Sequence, residues 1–463
     1  MPNNMQKKYK FNQVGRGGAP IRVSARTRYL VPILAFLLPM FFLGVVSFFD
    51  ADKQISDKEN RGLAKRPVAA WSNVFSGKFS SDFETYYNDQ FPFRNLWLDF
   101  DAKMQVLFKG VGGDQEIVVL DKKDDFGGQA LHDESSQPTP DDPNPSSDAG
   151  APESTESVGN GVKDEDITEE KNYIIIDKKT SRAMELYTNV KAKNAAYAQE
   201  VSRLARNLPG KTVYCMVAPT ALEFYASEKY RVGNKSQKTA IDELYASLTD
   251  GVKPVDAYTP ISKHTSEYLY FRSDHHWTQL GAYYAHTAFA GVAGYKPGVI
   301  NPNTPSGKLE GFLGSLFRST QSSVLSDKPD TVQYWQPMTP CRVEYFNDVS
   351  MQNGKSISLI TTNITNKSML YLSFLEGDHP LVRINTDVKN GRSILVVKES
   401  YGNAIVPFLV ENYENIYVID PRKLKTNIPS FVSANDIGEV LCINYIFVPT
   451  NKEYMSAFST CIG

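Results

Sequence analysis

Two short segments of this 463-residue sequence carry side chains that could act together in covalent catalysis. One is the segment 271–278, which reads FRSDHHWT, and the other is the segment 397–403, which reads VKESYGN. Together they supply an aspartate, a histidine and a serine, the three side chains of nucleophilic acyl transfer. The sequence therefore predicts a serine nucleophile and a histidine base that an aspartate orients.

Ser400 is the candidate nucleophile because of its local setting. It follows the apolar run 393–397, which predicts a strand, and Gly402 permits a tight turn into a helix predicted over 403–413. The free N–H groups at the start of that helix would face the serine, at the edge of an α/β sheet where ligands bind. Lys398 stands where the G-x-S-x-G elbow has its first glycine, so this motif is a different one. Taken alone, such a serine is more simply explained as a helix cap.

Asp274 and His276 are the candidate partners of the serine. In an extended backbone, residues two apart point to the same side, so the Asp274 carboxylate can reach the His276 ring and fix its tautomer. His275 would point away, and we predict no catalytic role for it. The alternatives are a surface pair that caps the next helix, or a metal site. No further ligand pair of suitable spacing is present, so no metal is predicted. Trp277 is predicted to be wall or core, or a stacking surface for a sugar ring.

The elements that must position these residues follow an α/β pattern. Strands that alternate with helices predict a parallel sheet flanked by helices. Between residues 300 and 390 the pattern is mainly β-like, which suggests a β-rich insertion or a small β subdomain. The predicted strands are 173–177, 212–218, 252–258, 332–335, 343–346, 369–374, 393–397, 415–419 and 442–448, and the predicted helices are 192–207, 238–248 and 403–413.

The amino-terminal segment predicts a membrane anchor. Residues 1–28 contain seven lysines and arginines and no acidic residue, and residues 29–49 are uncharged. As a helix, such an apolar run reaches about 31 Å, enough to cross a bilayer. We therefore expect a basic cytoplasmic tail over 1–28, a signal anchor over 29–49, and a single-pass protein of the cytoplasmic membrane whose catalytic domain lies outside. A cleavable signal peptide is the alternative, but Ser47-Phe48-Phe49 is not a small-x-small cleavage site.

Three regions follow the predicted anchor. Residues 51–126 form the first part of an extracellular domain, with an amphipathic helix predicted from Phe79 to Phe91. Residues 127–168 are acidic and rich in proline and serine, so they predict a disordered insertion. Residues 171–463 are predicted to form the catalytic domain.

Charge and cysteine content exclude several classes of function. The formal net charge is −2, which gives no reason to expect a nucleic-acid partner. The four cysteines, Cys215, Cys341, Cys442 and Cys461, fit neither a disulfide framework nor a zinc pattern. Cys215 is predicted to be a buried small hydrophobic residue, and a bond between Cys442 and Cys461 is left open. No cofactor is predicted.

The Asp-His-His-Trp block resembles the signature of the DHHW protein family, which is similar to the alginate O-acetyltransferases with SGNH-hydrolase-like domains. The likeness extends over most of the region predicted to be extracellular. This resemblance implies an SGNH-like fold, a bacterial origin, Ser400 as nucleophile, His276 as base and Asp274 as its orienting residue. The phrases that carry it, besides the two blocks above, are 59–61, 89–94, 219–225, 311–316, 398–409 and 417–422.

Other positions are less well defined by the resemblance. The family serine often follows an aspartate, whereas Glu399 stands there in this sequence. The glycine and asparagine that SGNH enzymes use to bind the oxyanion have no evident counterpart. The backbone N–H of Tyr401 and the side chain of Asn403 are the candidates for that role. Arg422 could bind an anionic part of a substrate or form a structural salt bridge.

The sequence as a whole predicts O-acetyl transfer to, or removal from, a polysaccharide or wall polymer outside the cytoplasmic membrane. The acyl group would pass to Ser400 and then to a sugar hydroxyl. The resemblance implies a multi-span membrane acyltransferase as acyl donor. An O-acetyl esterase with the same three residues is one alternative. A non-catalytic, anchored glycan-binding protein is another, and it predicts that Ser400, His276 and Asp274 do not converge.

Overall fold

The computed structural model describes residues 172–463 continuously. Before them it describes residues 38, 42, 46, 52, 55–56, 61–62, 64–67, 78–93 and 115–120. The chain divides into two compact units, one of residues 1–54 with 62–94 and the other of residues 55–61 with 95–463. The basic tail predicted over 1–28 and the disordered insertion predicted over 127–168 lie outside the described residues.

Helix α1 (Lys78–Asp89) is the main described element of the first unit. It confirms the amphipathic helix that the aromatic spacing predicted. Neighbouring aromatic rings stack along it, and Tyr86 is buried. The Tyr86 hydroxyl donates a hydrogen bond to Asp52 at 2.7 Å and accepts one from Arg66 at 3.1 Å. These two contacts fasten the helix to the rest of its unit.

No helix among the residues that the structure describes is both long enough and apolar enough to cross a membrane. The longest of them, α2 (Lys191–Arg206), has 16 residues and carries charged side chains. At 1.5 Å per residue such a helix reaches about 24 Å, less than the ~30 Å of a bilayer core. Of the anchor predicted over 29–49, the structure describes Leu38, Phe42 and Val46. The predicted single-pass location in the cytoplasmic membrane is wrong on this finding.

Short strands come first in the sequence, namely β1 (Ile55–Ser56) and β2 (Arg61–Gly62). Strands β3 (Gln115–Leu120), β4 (Asn172–Asp177) and β5 (Arg182–Glu185) then form a three-stranded antiparallel sheet. The strand predicted over 173–177 is thus present, but it belongs to this smaller sheet and not to the central one. Ile174 and Ile176 pack in a small apolar cluster that includes Leu316 and Leu325, whereas Ile175 packs in the main core.

The remaining strands build a large central sheet and one separate pair. They are β6 (Thr212–Ala218), β7 (Lys253–Val255), β8 (Gly307–Phe312), β9 (Asp330–Tyr334), β10 (Cys341–Phe346), β11 (Lys355–Ser356), β12 (Leu381–Thr386), β13 (Ser393–Lys398), β14 (Asn415–Ile419) and β15 (Glu439–Tyr445). The central sheet has eight strands in the order β11-β10-β12-β14-β13-β15-β6-β7, and β8 pairs with β9 alone.

The central sheet is mixed, whereas the sequence pattern predicted a parallel one. Strands β14, β13, β15, β6 and β7 run parallel. Strand β12 is antiparallel to β14, and β10 is antiparallel to both β12 and β11. The loop 387–392 joins β12 to β13, which lies on the other side of β14, and it is too short for the crossover that parallel strands require, so β12 runs antiparallel to both. The β-rich region predicted within 300–390 therefore extends the central sheet, and only β8 and β9 stand apart.

Helices flank the central sheet, and the bounds of most predicted ones are close to those observed. The helices predicted over 192–207 and 238–248 correspond to α2 and α4. The helices after α2 are α3 (Ala221–Tyr225), α4 (Gln237–Ala246), α5 (Tyr258–Ser262), α6 (Gln279–Ala293), α7 (Ser315–Thr320), α8 (Ser323–Ser326), α9 (Ile428–Ala434) and α10 (Lys452–Ile462).

The helix predicted over 403–413 is not an α-helix. The chain instead forms two short 3-10 helices, Ser400–Ala404 and Val406–Leu409. Pro407 has no N–H to donate, so an α-helix cannot continue through this position without losing a hydrogen bond. A tight 3-10 turn, and not the start of a long helix, therefore carries the serine.

The β-like fragment predicted over 369–374 is also helical. Except for Phe374, it lies within the 3-10 helix Lys367–Ser373, where the Asn366 side chain accepts a hydrogen bond from the Ser368 N–H at 3.0 Å. An asparagine before an apolar run is a helix-start signal, and the cap stabilises this turn.

The four cysteines are free thiols. Cys215 is fully buried, as predicted, and lies opposite Cys442 in the register of β6 and β15. Cys461 lies in α10, so the Cys442–Cys461 bond that was left open is not formed.

Candidate active site

The segment that holds Asp274 and His276 is fixed by a buried carboxylate. Asp330 is fully buried and accepts hydrogen bonds from the backbone N–H groups of Arg272 and Ser273, at 3.0 and 2.7 Å. It also accepts from the Ser273 hydroxyl at 2.6 Å. A β-bridge between Tyr270 and Trp277 closes the segment at its base. The Asp330 carboxylate and the β-bridge thus hold the backbone on both sides of Asp274 and His276 in place.

The serine is presented by a tight turn at the end of β13. Ser400 begins the 3-10 turn and is 5% exposed. Gly402 is required there, because a Cβ at this position would come within 2.6 Å of the Lys398 Cβ. Ser400 is the first residue of the 3-10 turn, and the N–H groups at the start of a helix have no carbonyl acceptor within that helix. It is the backbone donor nearest in sequence to the serine hydroxyl.

The structure brings Asp274, His276 and Ser400 into one chain of hydrogen bonds. The His276 Nδ1 lies 2.6 Å from an Asp274 oxygen, and the His276 Nε2 lies 2.7 Å from the Ser400 Oγ. A carboxylate only accepts, so Nδ1 carries the proton and Nε2 is left to accept from the serine. All three side chains are buried. This geometry is what a serine nucleophile with a histidine base requires, and it is opposite to what the non-catalytic alternative predicts.

The Asp274 carboxylate is enclosed by hydrogen-bond donors. One oxygen accepts from the backbone N–H and the ring of His276, and the other accepts from the Ser315 N–H at 2.8 Å. Burial alone would raise the pKa of Asp274. Its interactions with His276, His275 and the Ser315 amide outweigh burial and hold that pKa well below its usual range. Asp274 is therefore ionised at neutral pH and can hold a protonated imidazole.

Gly314 and Ser315 contact Asp274 at the candidate site, and the sequence analysis did not assign them to it. A Cβ at Gly314 would lie between 2.2 and 2.6 Å from atoms of the Asp274 side chain, so only glycine allows this approach. Both residues belong to the phrase 311–316 that supported the family resemblance. That phrase was the available signal, but its contact with Asp274 is visible only in the folded chain.

His275 lies beside the hydrogen-bond chain but outside it. Its ring centroid is 3.8 Å from that of His276, and its Nδ1 lies 2.7 Å from the Ser315 Oγ. Burial lowers the pKa of His275, with the neighbouring His276 acting in the same direction. Among the described residues, Asp274, His275 and His276 also lie close enough together to ligate a metal ion. Both His276 nitrogens are already engaged in hydrogen bonds, so this donor set fits the serine better than a metal.

Tyr371 is a second neighbour that the sequence missed. Its ring stacks on the His276 ring, with a centroid distance of 3.8 Å and an interplanar angle of 11°. Its hydroxyl donates to the Ser400 carbonyl oxygen at 3.0 Å. Tyr371 thus contacts both His276 and Ser400. No motif marks it, and the sequence predicts a strand over 369–374 at its position.

The predicted oxyanion candidates are occupied by other partners. The Tyr401 N–H donates to a Glu399 carboxylate oxygen at 2.9 Å. The Asn403 side-chain amide donates to Asp378 at 2.8 Å. The Tyr401 N–H is thereby used, as is one of the two N–H groups of the Asn403 amide.

The predicted substrate contacts, Arg422 and Trp277, also have structural partners. Arg422 forms ion pairs with Asp378 at 3.1 Å and with Asp420 at 2.7 Å, which is the structural alternative considered for it. Trp277 is fully buried, and its indole N–H donates to the Tyr401 carbonyl oxygen at 3.0 Å. A fully buried ring cannot stack on a sugar, so Trp277 is core.

The chain belongs to the DHHW protein family, as its signature block predicted. The family described as DHHW protein matches residues 155–419, more than half of the 463 residues. The match includes both blocks that supply the hydrogen-bonded aspartate, histidine and serine. No curated protein matches the chain in sequence.

Solved structures agree with this assignment and with the fold. A DHHW family protein from Eubacterium siraeum is 30% identical, with a TM-score of 0.55 over 63% of this chain and 96% of the other. Bacillus cereus PatB1, solved with a sulfonyl adduct, is 17% identical, with a TM-score of 0.50 over 61% and 98%. The O-acetyltransferase domain of Pseudomonas putida AlgJ is 13% identical, with a TM-score of 0.32 over 58% and 89%. The first two likenesses support a mixed α/β fold with a large central sheet flanked by helices.

Proposed function

We propose that the protein is a serine-dependent O-acetyltransferase that acts on a polysaccharide or wall polymer. The observation that carries this proposal is the hydrogen-bond chain from Asp274 through His276 to Ser400, with links of 2.6 and 2.7 Å. The choice of acetyl rests on membership of the DHHW family, which is similar to the alginate O-acetyltransferases.

In the first half of the proposed reaction, the Ser400 Oγ attacks the carbonyl carbon of an acetyl donor. The His276 Nε2 takes the serine proton, and the Asp274 carboxylate holds the resulting imidazolium. The tetrahedral intermediate then collapses. The bond from the carbonyl carbon to the leaving group breaks, and the leaving group takes the proton from His276. An acetyl ester on Ser400 remains.

In the second half, a hydroxyl of the acceptor attacks the acetyl-serine. His276 again removes the attacking proton and returns it to the Ser400 Oγ as the ester bond breaks. An esterase would use the same acyl-enzyme, with water in place of the sugar hydroxyl. The choice of transfer over the esterase alternative rests on the similarity of the DHHW family to the alginate O-acetyltransferases. We propose the multi-span membrane acyltransferase implied by the family resemblance as acyl donor.

The test uses the purified full chain with p-nitrophenyl acetate, followed by release of p-nitrophenol and by intact mass. The variants are Ser400→Ala and His276→Ala, and Ser433→Ala, an exposed serine in α9, is the matched control. We expect an acetyl adduct on wild type and on Ser433→Ala, and none on Ser400→Ala. An oligosaccharide acceptor should then remove the adduct as acetylated sugar. An unlabelled wild type, or a Ser400→Ala protein that labels equally, would contradict the proposal.

A further inference from the structure

Glu399, the residue before the nucleophile, makes contacts that the reaction as described does not use. It is 4% exposed, its two carboxylate oxygens accept from two backbone N–H groups, and one of these oxygens also lies near the Ser400 hydroxyl. One oxygen accepts from the Tyr401 N–H at 2.9 Å and lies 3.3 Å from the Ser400 Oγ. The other accepts from the Tyr445 N–H at 3.0 Å. Glu399 thus contacts the nucleophile, the residue after it and the end of another strand.

The length of the Glu399 side chain matters for this arrangement. Glu399 is the N-cap of the Ser400 turn, a position where aspartate, asparagine, serine and threonine are preferred over glutamate. Lys398 on β13 is in register with Ile443 on β15, so Tyr445 lies at the adjoining strand end. An aspartate could cap the Tyr401 N–H, but it is one methylene shorter. The glutamate therefore links the two strand ends as well as capping the turn.

The chemistry of the contacts indicates an acceptor role for Glu399. Both backbone partners are donors, and each carboxylate oxygen has the lone pairs to accept from one of them. Burial raises the pKa of Glu399, while the Tyr401 and Tyr445 amides, Arg422 and His276 oppose that rise. The Ser400 hydroxyl has a single proton, and His276 lies closer to it than Glu399 does. Glu399 therefore steers the hydroxyl without replacing the base.

We propose that Glu399 is a positioning residue of the nucleophile. It fastens the Ser400 turn to the end of β15, so that the hydroxyl meets His276, and it withdraws the Tyr401 N–H from oxyanion binding. The first backbone donor for the oxyanion is then the Ser400 N–H. The inference rests on the proposed function and adds a residue, Glu399, to its site.

Two substitutions separate the parts of this role. Glu399→Gln keeps the length but offers one acceptor oxygen and one NH₂ group, so at least one N–H donor then faces another donor. Glu399→Asp keeps both acceptor oxygens and the cap on Tyr401, and it loses the reach to Tyr445. Glu453→Gln, an exposed residue of α10, is the matched control.

The first readout is the kinetics of p-nitrophenyl acetate cleavage together with the rate of serine labelling by phenylmethylsulfonyl fluoride. In Glu399→Gln we expect kcat and the labelling rate to fall about 10-fold with KM within about 2-fold, since an interaction beside the reacting atom is lost. Glu399→Asp keeps the cap on Tyr401 but loses the link to Tyr445, so it should recover only part of the rate, and Glu453→Gln should match wild type. A role in folding alone would instead lower the active fraction of both Glu399 variants and leave the rate of that fraction unchanged.

The second readout does not depend on activity. Amide hydrogen exchange should become faster at both Tyr401 and Tyr445 in Glu399→Gln, and at Tyr445 alone in Glu399→Asp. If wild type forms no serine adduct but the exchange changes as described, the proposed function fails and the fastening of the turn stands. If Glu399→Gln keeps the wild-type exchange rate at both amides, the positioning role is overturned. It is also overturned if wild type is active and Glu399→Gln is labelled at the same rate as wild type.

Discussion

At the scale of single residues, the Asp274 carboxylate is surrounded by donors on both of its oxygens. One oxygen accepts twice from His276, and the other accepts from the Ser315 N–H. No position is left where an amide NH₂ group would meet an acceptor. The site therefore requires a carboxylate and not merely a polar group of the same size.

The substitution Asp274→Asn tests this requirement. Its NH₂ group must face either Ser315 or His276, and in the second case the imidazole takes the tautomer whose Nε2 cannot accept the Ser400 proton. We expect acetyl-serine formation to slow by roughly 10³–10⁴-fold. Intact-mass time courses would measure it, with the exposed Asp436→Asn as control. A variant that acylates within 10-fold of wild type would show that the Asp274 charge is dispensable.

Part of the site could be predicted from residues alone. Asp274 and His276 are two apart, and Ser400 follows an apolar strand, so residue spacing was enough to select them. Tyr371 reaches the His276 ring from a 3-10 helix far along the chain, and no local pattern marks it. The Tyr401 N–H was a reasonable oxyanion candidate by position, but only the folded structure reveals that Glu399 already holds it.

At the scale of elements, the turn between β8 and α7 shapes the aspartate site. Gly314 lies against the Asp274 side chain, and the next residue, Ser315, donates its N–H to the carboxylate. The Ser315 hydroxyl also contacts the His275 ring. One short turn thus fixes the position of the carboxylate and of the neighbouring imidazole.

The substitution Gly314→Ala should disturb the site through this turn. The added Cβ would lie 2.2 Å from an Asp274 carboxylate oxygen, so the loop or the aspartate must move. We expect a loss of about 1–3 kcal/mol in the free energy of unfolding, together with slower serine acylation, as for other overpacked sites. Urea unfolding and the acylation time course would measure the two effects.

The matched control for that substitution is Gly291→Ala in α6. A Cβ at Gly291 meets nothing within 4 Å. Alanine is the better helix former, so this variant should be unchanged or more stable by about 0.5–1 kcal/mol. If Gly314→Ala behaved like Gly291→Ala in both stability and acylation, the close approach at Asp274 would not constrain the site.

Strand and helix positions were largely predictable, whereas strand direction was not. Apolar periodicity located β6, β13, β14 and α2, because these elements are buried on one or both faces. Direction depends on which strands become neighbours, and the short loop 387–392 makes β12 antiparallel to β13. Pro407 was visible in the sequence, and it marks where the predicted helix over 403–413 could not continue.

At the scale of the whole molecule, the parallel part of the central sheet aligns the ends of β13 and β15 at one edge. The Ser400 turn leaves the first strand there, and Tyr445 ends the second. The smaller sheet reaches the same region, because the Ala183 N–H on β5 donates to the Arg272 carbonyl oxygen at 2.8 Å. The smaller sheet therefore contacts the segment that holds Asp274 and His276, and it supplies none of the three hydrogen-bonded side chains.

Glu185, the last residue of β5, should make the free energy of unfolding depend on pH. It is 8% exposed, and burial, together with the Asp274 charge, raises its pKa to about 8. Between pH ~4.3 and ~8 the unfolded chain has released this proton and the folded protein retains it. The unfolded state then binds fewer protons, so the contribution of Glu185 lowers the free energy of unfolding as the pH rises.

Glu185→Gln has no proton to release, so we expect it to gain stability relative to wild type across that window. The gain should be up to about 1.4 kcal/mol per pH unit, and it should level off above pH ~8, where both states are ionised. Urea unfolding at several pH values between 5 and 9 would measure the difference between the two proteins. A difference that stays constant from pH 5 to 8 would mean that Glu185 ionises in the folded protein as freely as in the unfolded chain. The Asp274 charge would then not extend its effect to the smaller sheet.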